Sequence, residues 1–419
     1  MSNISWARAM GDTREIVVAR LGAQGDGVAE LDGAPVFVPF ALPGERVVAE
    51  VEGERGRLVE VLEPSSQRVA PPCRHFGRCG GCSVQHLAVD AYADWKRDLV
   101  VAAFRARGLD ADVDALIRTG GKRRRAAFTA VRTESDIEIG FHAAASHNLV
   151  AISECPVLEP KIVAALPGLG KLIAPLLSKR GEGRLSVTLT KSGLDVLLEG
   201  SERKLTPDVR SALASKATSL NLARFVVGDD VVFEALTPFL AFGNAEVALP
   251  PGAFVQAVAE AESEIARRVV AAVGKAKSVT DLFSGLGAFT FPLAARARVA
   301  AFDGDKEAIA ALNAAVKKTS GVKPIAAHVR DLFREPLSPL ELNENEAVVF
   351  DPPRAGAEAQ TQRIARSKVK TVVAVSCNPA TLARDARHLV DGGYKIESVT
   401  PVDQFVYSAH VEVVAVFRR

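Results

Sequence analysis

The sequence lacks the features that mark a membrane protein or a secreted protein. Its 419 residues contain no apolar run of the length, about 18 residues, that indicates a membrane-spanning helix. The first residues, Met1 to Asp12, are polar, and no positively charged segment followed by an apolar one is present there. We therefore expect a soluble protein of the cytoplasm.

The chain also has little net charge and few cysteines. Its formal net charge is +2, so any attraction to nucleic acid must come from local clusters of charge. Its five cysteines are an odd number, which in a cytoplasmic chain favours metal binding or catalysis over disulfides. Hydrophobic residues make up 48% of the chain, enough to build the cores of two or three domains.

Changes in composition along the chain predict three domains, at residues 1–66, 67–250 and 251–419. Short β-rich runs separated by glycine and proline turns predict that the first is a barrel of about five strands, similar to an OB fold. The second mixes strand-like runs with two helices and is predicted to be α+β. From about Gly252, strands and helices alternate as in a doubly wound parallel sheet. The predicted fold class is multi-domain α/β.

A glycine-rich turn in the third domain predicts a nucleoside site. Gly285 and Gly287 follow a strand-like run, and glycines there let the backbone approach a ligand at the start of a helix. The next strand ends at Asp303, which can hold ribose hydroxyls, and the following one ends at Asp331, a candidate contact for an adenine ring. The third glycine of the dinucleotide fingerprint is missing, which favours S-adenosylmethionine over NAD. The alternative is a tight turn that binds nothing.

Two further strand ends predict covalent chemistry. Asp351 opens an Asp-Pro-Pro-Arg motif after one strand, and Cys377 lies in a Ser-Cys-Asn-Pro motif after the next. Because ligands of an open α/β sheet lie at the carboxyl ends of its strands, we expect this thiol and this carboxylate to face one pocket. A helix that begins after Asn378 would favour the thiolate through its N-terminal dipole. An inert buried thiol is the alternative for Cys377.

A thiolate beside a carboxylate suits methylation of a pyrimidine carbon. C5 of a pyrimidine is unreactive until a nucleophile adds to C6, and a base must later remove the C5 proton. Cys377 is the predicted nucleophile, and Asp351 is predicted to form a hydrogen bond with the pyrimidine ring. Two residues are candidates for the proton acceptor. Glu412 is an acid in an otherwise apolar strand, and His410 lies on the same face of that strand by alternation. Methylation of an exocyclic amine is the rival, disfavoured by Cys377 and by Arg354 in place of an aromatic residue.

The remaining cysteines predict a metal site. Cys73, Cys79 and Cys82 are separated by five and two residues, and Cys155 is the one cysteine left besides Cys377. Four thiolates fit either tetrahedral zinc or a [4Fe-4S] cluster, and the spacing favours the cluster. A structural role is expected for it, joining the barrel to the middle region. Elsewhere, the basic run 122–125 is either a phosphate contact or a solvated group of charges.

With these motifs assembled, the chain resembles the bacterial uracil-C5 RNA methyltransferases that carry an N-terminal TRAM domain and an iron–sulfur cluster. The 23S ribosomal RNA members of that family are the most similar. The resemblance covers nearly the whole chain, because residues 14–64 are similar to the TRAM barrel. The matching motifs are Cys73, Cys79, Gly80-Gly81-Cys82, Gln85-His86, Cys155-Pro156, Phe254-Val-Gln256, Asp281-Leu-Phe283, Asp351-Pro-Pro-Arg354, Ser376-Cys377-Asn378-Pro379 and His410-Val-Glu412.

The resemblance implies an enzyme that methylates C5 of a uridine in RNA, with 23S rRNA favoured. A tRNA substrate and a non-catalytic RNA-binding scaffold are the alternatives, and no membrane or protein partner is implied. It further implies that Cys377 is the nucleophile and that Glu412, rather than His410, is the base. The implied contacts of S-adenosylmethionine and of the target base are Gln256, Phe283, Asp303 and Asp351. The implied [4Fe-4S] ligands are Cys73, Cys79, Cys82 and Cys155, and the chain departs from the family pattern at Val258, Ser284 and Ala288.

Overall fold

The computed structural model describes residues 12–144 and 146–419. The chain divides into two compact units, one of Met1–Lys96 with Val406–Ala409 and another of Arg97–Phe405 with His410–Arg419. This division does not test the three predicted domains, which stay a prediction. The polar segment before Asp12 lies outside the described residues. No described helix combines the length and the apolar character needed to span a bilayer, and the cytoplasmic location stays a prediction.

The first unit contains the predicted barrel. Its strands are β1 (Asp12–Leu21), β2 (Gly27–Leu31), β3 (Ala34–Val38), β4 (Arg46–Glu52) and β5 (Arg55–Glu63). They close in the order β1-β2-β3-β5-β4, and alternate side chains such as Val18, Val38 and Val47 fill the interior. The prediction of a small barrel of five strands is therefore confirmed. The helix α1 (Val89–Arg105) follows and runs from the first unit into the second.

The second unit begins with a short strand, β6 (Ile117–Arg118), and then builds a mixed sheet covered by two helices. The elements are β7 (Arg125–Arg132), β8 (Ile137–His142), β9 (Leu149–Ala151), α2 (Pro160–Ile173), a short 3-10 turn (Ala174–Leu176), β10 (Glu182–Leu189), β11 (Leu194–Glu199), α3 (Pro207–Ser219), β12 (Leu222–Val227) and β13 (Asp230–Glu234). The sheet order is β13-β12-β11-β10-β7-β8-β9, and apolar residues of α2 and α3 pack on it. This matches the α+β middle region.

The C-terminal half is the predicted alternation of strands and helices. Its elements are the hairpin β14 (Phe239–Phe242) and β15 (Ala245–Ala248), followed by α4 (Ala259–Val273), β16 (Ser278–Leu282), α5 (Thr290–Ala294), β17 (Arg298–Asp303), α6 (Lys306–Val316), β18 (Ile325–Val329), α7 (Pro339–Leu342), β19 (Ala347–Phe350), α8 (Glu358–Ala365), β20 (Thr371–Ser376), α9 (Pro379–Asp391), β21 (Lys395–Asp403) and β22 (Glu412–Arg418).

Strands β16 to β22 and the earlier β6 form one sheet in the order β18-β17-β16-β19-β20-β22-β21-β6, whereas β14 and β15 pair with each other. Strands β16 to β20 are parallel, whereas β22 runs antiparallel to β20 and β21. Phe350 packs towards α8 and α9, while its neighbour Val349 packs towards α4 on the other face. Because side chains alternate along a strand, both faces are covered, and the strand ends form the open edge available to ligands.

Candidate active site

The turn after β16 adopts backbone conformations that favour glycine. Phe283, Gly285 and Gly287 have φ of 60°, 50° and 92°. A Cβ added to Gly287 would lie 2.9 Å from the ring of Phe291, so a side chain does not fit there. Around Gly285 the corresponding space is open, so the backbone at this point is accessible to a ligand.

The acids at the ends of the next two strands are held by backbone hydrogen bonds. Asp303 accepts from the N–H of Gly285 through Oδ2 and from the N–H of Asp305 through Oδ1, both at 2.8 Å. Asp331 accepts from the N–H of Phe333 at 3.0 Å. Each carboxylate oxygen keeps a further lone pair, so Asp303 can also accept from ribose hydroxyls.

Aromatic rings flank the same edge of the sheet. The ring centroids of Phe283 and Phe333 are 5.4 Å apart, and Phe333 is 51% exposed. A surface cavity of about 390 Å³ beside Phe333 is lined by Ala355, Gly356, Glu358, Ala359, Gln362 and Arg384. An accessible glycine turn, an acid fixed for ribose and an exposed ring fit a nucleoside-containing methyl donor.

Asp281, on β16, is a buried acid with an unpartnered oxygen. Its Oδ2 accepts a hydrogen bond from Thr290 Oγ1 at 2.5 Å, whereas its buried Oδ1 has no partner among the described residues. Burial raises the pKa of Asp281 to about 7, and the charges of Asp351 and Asp303 act in the same direction. The motif Asp281-Leu-Phe283 was recognised from the sequence, but no separate role was predicted for Asp281, although an acidic residue inside an apolar strand was a visible signal.

Asp351 and Gln256 lie together, as the resemblance implied. Gln256 donates from Nε2 to Asp351 Oδ2 at 3.0 Å. Burial raises the pKa of Asp351 to about 7, which the hydrogen bond from Gln256 only partly counteracts. Asp351 is therefore ready to exchange a proton near neutral pH.

Glu412, the first residue of β22, is 1% exposed. Burial raises its pKa well above the usual value, and the charge of Asp351 raises it further. Gln404 opposes this shift because it donates from Nε2 to Glu412 Oε2 at 3.0 Å. A buried carboxyl with a raised pKa is a suitable proton acceptor.

Gln404 also reaches the donor side of the site. Its Nε2 donates to Gln256 Oε1 at 2.7 Å, and its Oε1 accepts from the Val258 N–H at 3.3 Å. A continuous hydrogen-bonded chain thus runs from Asp351 through Gln256 and Gln404 to Glu412. The sequence analysis missed Gln404, although a glutamine in the apolar run Val-Asp-Gln-Phe-Val was a signal of a buried polar contact.

Cys377 lies between β20 and α9 and is half-buried. The pairing of Ser376 with Val413 on β20 and β22 places it next to Glu412. The helix begins as predicted, with Asn378 as its N-cap accepting from the Ala380 N–H. The expectation that this helix favours the thiolate stays a prediction. Burial, followed by the charges of Glu412 and Asp351, raises the pKa of Cys377 to about 11.

Arg354 and His410 occupy the rim of the site. Arg354 Nη2 lies 3.1 Å from His410 Nε2, and the charge of Arg354 lowers the pKa of Cys377. His410 precedes β22, so the alternation argument that placed it on the face of Glu412 does not apply. His410 contacts Arg354 at the rim of the site, whereas the carboxyl group of Glu412 is buried inside it.

Within the basic run 122–125, Lys122 is exposed, whereas Arg124 and Arg125 are packed against other residues. Arg124 is 8% exposed and donates from Nε to the carbonyl of Gln256 at 3.0 Å and from Nη2 to Glu262 at 2.6 Å. Arg125 lies 4.5 Å from the ring centroid of Phe254, which is 69% exposed. Arg124 therefore braces the segment that carries Gln256, and Arg125 supports an accessible aromatic ring.

The predicted metal ligands belong to two units of the chain. Cys73, Cys79 and Cys82 lie in the first unit and Cys155 in the second. Across residues 12–144 and 146–419, no group of three or more His, Cys, Asp or Glu side chains is placed to hold a metal ion. The [4Fe-4S] cluster stays a prediction.

Comparison with known proteins gives two family matches. Residues 224–419 match the tRNA (Uracil-5-)-methyltransferase model, and residues 7–56 match the TRAM domain. An RNA methyltransferase of Rhizobium meliloti is 47% identical over 97% of this chain and 100% of its own length. A 23S rRNA (uracil(1939)-C(5))-methyltransferase of Halomonas elongata is 34% identical over 95% of this chain and 88% of its own length.

Among solved structures, the tRNA (uracil-54, C5)-methyltransferase of Pyrococcus abyssi in complex with S-adenosyl-L-homocysteine has the same fold. It matches with a TM-score of 0.73 and 24% identity, covering 96% of this chain and 100% of its own. The α/β sheet with its glycine turn and strand-end acids defines a methyltransferase. The chain belongs to the RNA (uracil-5-)-methyltransferase family and carries a TRAM domain at its N-terminal end.

Proposed function

We propose that the protein transfers a methyl group from S-adenosylmethionine to C5 of a uridine in 23S rRNA, using Cys377 as nucleophile and Glu412 as base. The Halomonas elongata relative, whose name gives 23S rRNA as its substrate, supports that choice of RNA. The family description and the Pyrococcus abyssi protein make tRNA the second candidate. The observation that carries the C5 chemistry is the strand pairing that brings the half-buried Cys377, at the end of β20, to the same sheet edge as Glu412 and Asp351, whose charges act on it.

The residues account for each bond that changes. When bound, S-adenosylmethionine supplies an electrophilic methyl group. Cys377 Sγ, as the thiolate, forms a bond to C6, and the electron pair of the C5–C6 double bond moves to C5. C5 then bonds to the methyl group, and S-adenosylhomocysteine is released as the other product. Glu412 then accepts the C5 proton, the C5–H pair restores the double bond, and the C6–S pair returns to Cys377.

The raised pKa of Cys377 requires a proton acceptor before the first step. At neutral pH the thiol predominates, since its pKa is about 11. Asp351, whose pKa is about 7, faces it and can take that proton. Because the charge of Asp351 raises the pKa of Glu412, protonating Asp351 leaves Glu412 more easily ionised for its later role.

We also propose a place for the RNA beside the site. The exposed ring of Phe254 lies two residues before Gln256 and is backed by the guanidinium of Arg125. An exposed aromatic ring supported by a cation can stack with a nucleic-acid base. The phosphate-contact prediction for the run 122–125 does not suit Arg124, whose charge is paired with Glu262.

The [4Fe-4S] cluster rests on the cysteine motif alone. Iron, zinc and acid-labile sulfide measured on protein purified without oxygen test it. The cluster predicts about four iron atoms per chain and visible absorbance, lost together in a Cys79→Ser variant. One zinc ion per chain, or no metal, would overturn it.

Covalent trapping tests the proposed reaction. In 5-fluorouridine a fluorine atom replaces the C5 hydrogen, so the general base has no C5 proton to remove and the adduct cannot be resolved. The enzyme with S-adenosylmethionine should therefore remain bonded to RNA that contains 5-fluorouridine through a denaturing gel. Cys377→Ala should give no such adduct while still binding S-adenosylmethionine. A wild-type enzyme that methylates RNA without forming an adduct would contradict C5 chemistry through Cys377. Comparing fluorinated 23S rRNA fragments with fluorinated tRNA distinguishes the two candidate substrates.

A further inference from the structure

Gln404 is buried in the site, and both the NH2 group and the carbonyl oxygen of its side-chain amide form hydrogen bonds. It is 0% exposed and follows the end of β21. Both N–H bonds of its amide are engaged, one with Glu412 Oε2 at 3.0 Å and one with Gln256 Oε1 at 2.7 Å. Its carbonyl oxygen accepts from the backbone of Val258 at 3.3 Å, which fixes which end of the amide faces the two partners.

The orientation of Gln404 determines that of Gln256. Because Gln256 Oε1 accepts from Gln404, its Nε2 is turned towards Asp351, to which it donates at 3.0 Å. Val258 contributes only its backbone N–H to Gln404, and its side chain lies in the core. A neutral amide at this place links two carboxyl groups without adding a charge between them.

We infer that Gln404 is a positioning residue for proton removal from C5. Its hydrogen bond orients the carboxylate of Glu412 towards the C5 proton, and its second hydrogen bond links Glu412 to Gln256, which lies towards the methyl donor. This inference rests on the proposed function. The titratable groups that face Glu412 are Asp351, from the loop after β19, and Cys377, from the loop after β20, and Arg354 acts on Cys377. Gln404 supplies the hydrogen bond that lowers the pKa of Glu412 against these influences.

Gln404→Met keeps the volume and removes all three side-chain hydrogen bonds, to Glu412, to Gln256 and from Val258. The rate at which the methylated adduct is resolved should fall about tenfold to a hundredfold, since a complete general base contributes about 10²- to 10⁴-fold. The rate of adduct resolution falls at low pH as Glu412 becomes protonated, and this acidic limb of the pH profile should move to higher pH by about one unit. The reason is that the ionised carboxylate of Glu412 loses the hydrogen bond from Gln404. The covalent protein–RNA adduct should therefore accumulate with ordinary, unfluorinated RNA.

A second buried glutamine provides the matched control. Gln360 is 1% exposed and bonds both the N–H and the carbonyl of Leu337, outside the site. Gln360→Met should lose a comparable amount of stability but leave adduct resolution and its pH dependence as in the wild type. If Gln404→Met shows the same pH limb and adduct fraction as Gln360→Met, the inference is wrong.

Gln404→Glu carries the test if the methionine variant does not fold. It retains size and polarity, but its ionised form cannot donate to Glu412 and adds a repelling charge, so the pH limb should move further upwards. An unmoved limb in this variant overturns the inference. Failure of the proposed function has a different signature, because the wild-type enzyme would then form no adduct with fluorinated RNA.

Discussion

Gln256 and Gln404 meet through a hydrogen bond of 2.7 Å, although 148 positions separate them in the chain. Each glutamine holds one carboxyl group, Gln256 that of Asp351 and Gln404 that of Glu412. The pKa of each of these acids is raised by burial. The active site therefore contains two acids of altered acidity joined by neutral amides, an arrangement suited to moving protons between a thiol and a ring carbon.

Glu412→Gln should stop the reaction after methyl transfer. The amide cannot accept the C5 proton, whereas addition of Cys377 and transfer of the methyl group remain possible. We expect the methylated protein–RNA adduct to accumulate and turnover to fall about 10²- to 10⁴-fold. A denaturing gel with RNA and isotopically labelled methyl donor measures both.

The matched control for that variant is His410→Gln, which alters the other candidate base. It should still resolve the adduct, because His410 is partnered with Arg354 at the rim. Accumulation in His410→Gln but not in Glu412→Gln would transfer the role of base to His410.

Strand ends could be predicted from the sequence because local pattern determines them. Strand β19 covers Ala347–Phe350 and β18 covers Ile325–Val329, the runs that placed Asp351 and Asp331 at the edge. The contacts of Gln404 and Arg124 could not be predicted, because their partners lie on distant segments. The raised pKa of Cys377 could not be predicted either, because burial and the charges of Glu412 and Asp351 depend on how β19, β20 and β22 pack together.

Arg124→Met should destabilise the protein by removing the partner of a buried acid. Arg124 and Glu262 are joined at 2.6 Å with side chains 10% and 8% exposed, and burial raises the pKa of Glu262. Leaving such a charge unpaired costs about 3–5 kcal/mol. Urea unfolding at pH 8 measures the loss.

The double variant Arg124→Met with Glu262→Gln is the control for that loss. Because the unpaired charge is gone, most of the lost stability should return. Equal destabilisation in the single and double variants would show that the packing of Arg124, rather than its ion pair, supports the fold.

Asp281→Asn should change how stability depends on pH. The pKa of Asp281 is about 7 in the folded protein, against 3.8 for an unperturbed aspartate side chain. Between these values the folded state holds a proton that the unfolded state has lost, so stability falls as pH rises, by about 4 kcal/mol for the full shift. Asparagine cannot ionise and should remove this contribution. Unfolding curves from pH 4 to pH 8 that stay parallel for wild type and variant would contradict the assignment.

Phe254→Ala should weaken RNA binding while leaving binding of S-adenosylmethionine unchanged. The ring is 69% exposed, so its loss costs the fold little, whereas stacking with one base contributes about 1–3 kcal/mol. We expect RNA affinity to fall about tenfold, measured by filter binding at fixed salt. Leu340→Ala is the matched control, because Leu340 is 80% exposed and lies on α7. Equal affinities of the two variants for RNA would remove Phe254 from the RNA-binding surface.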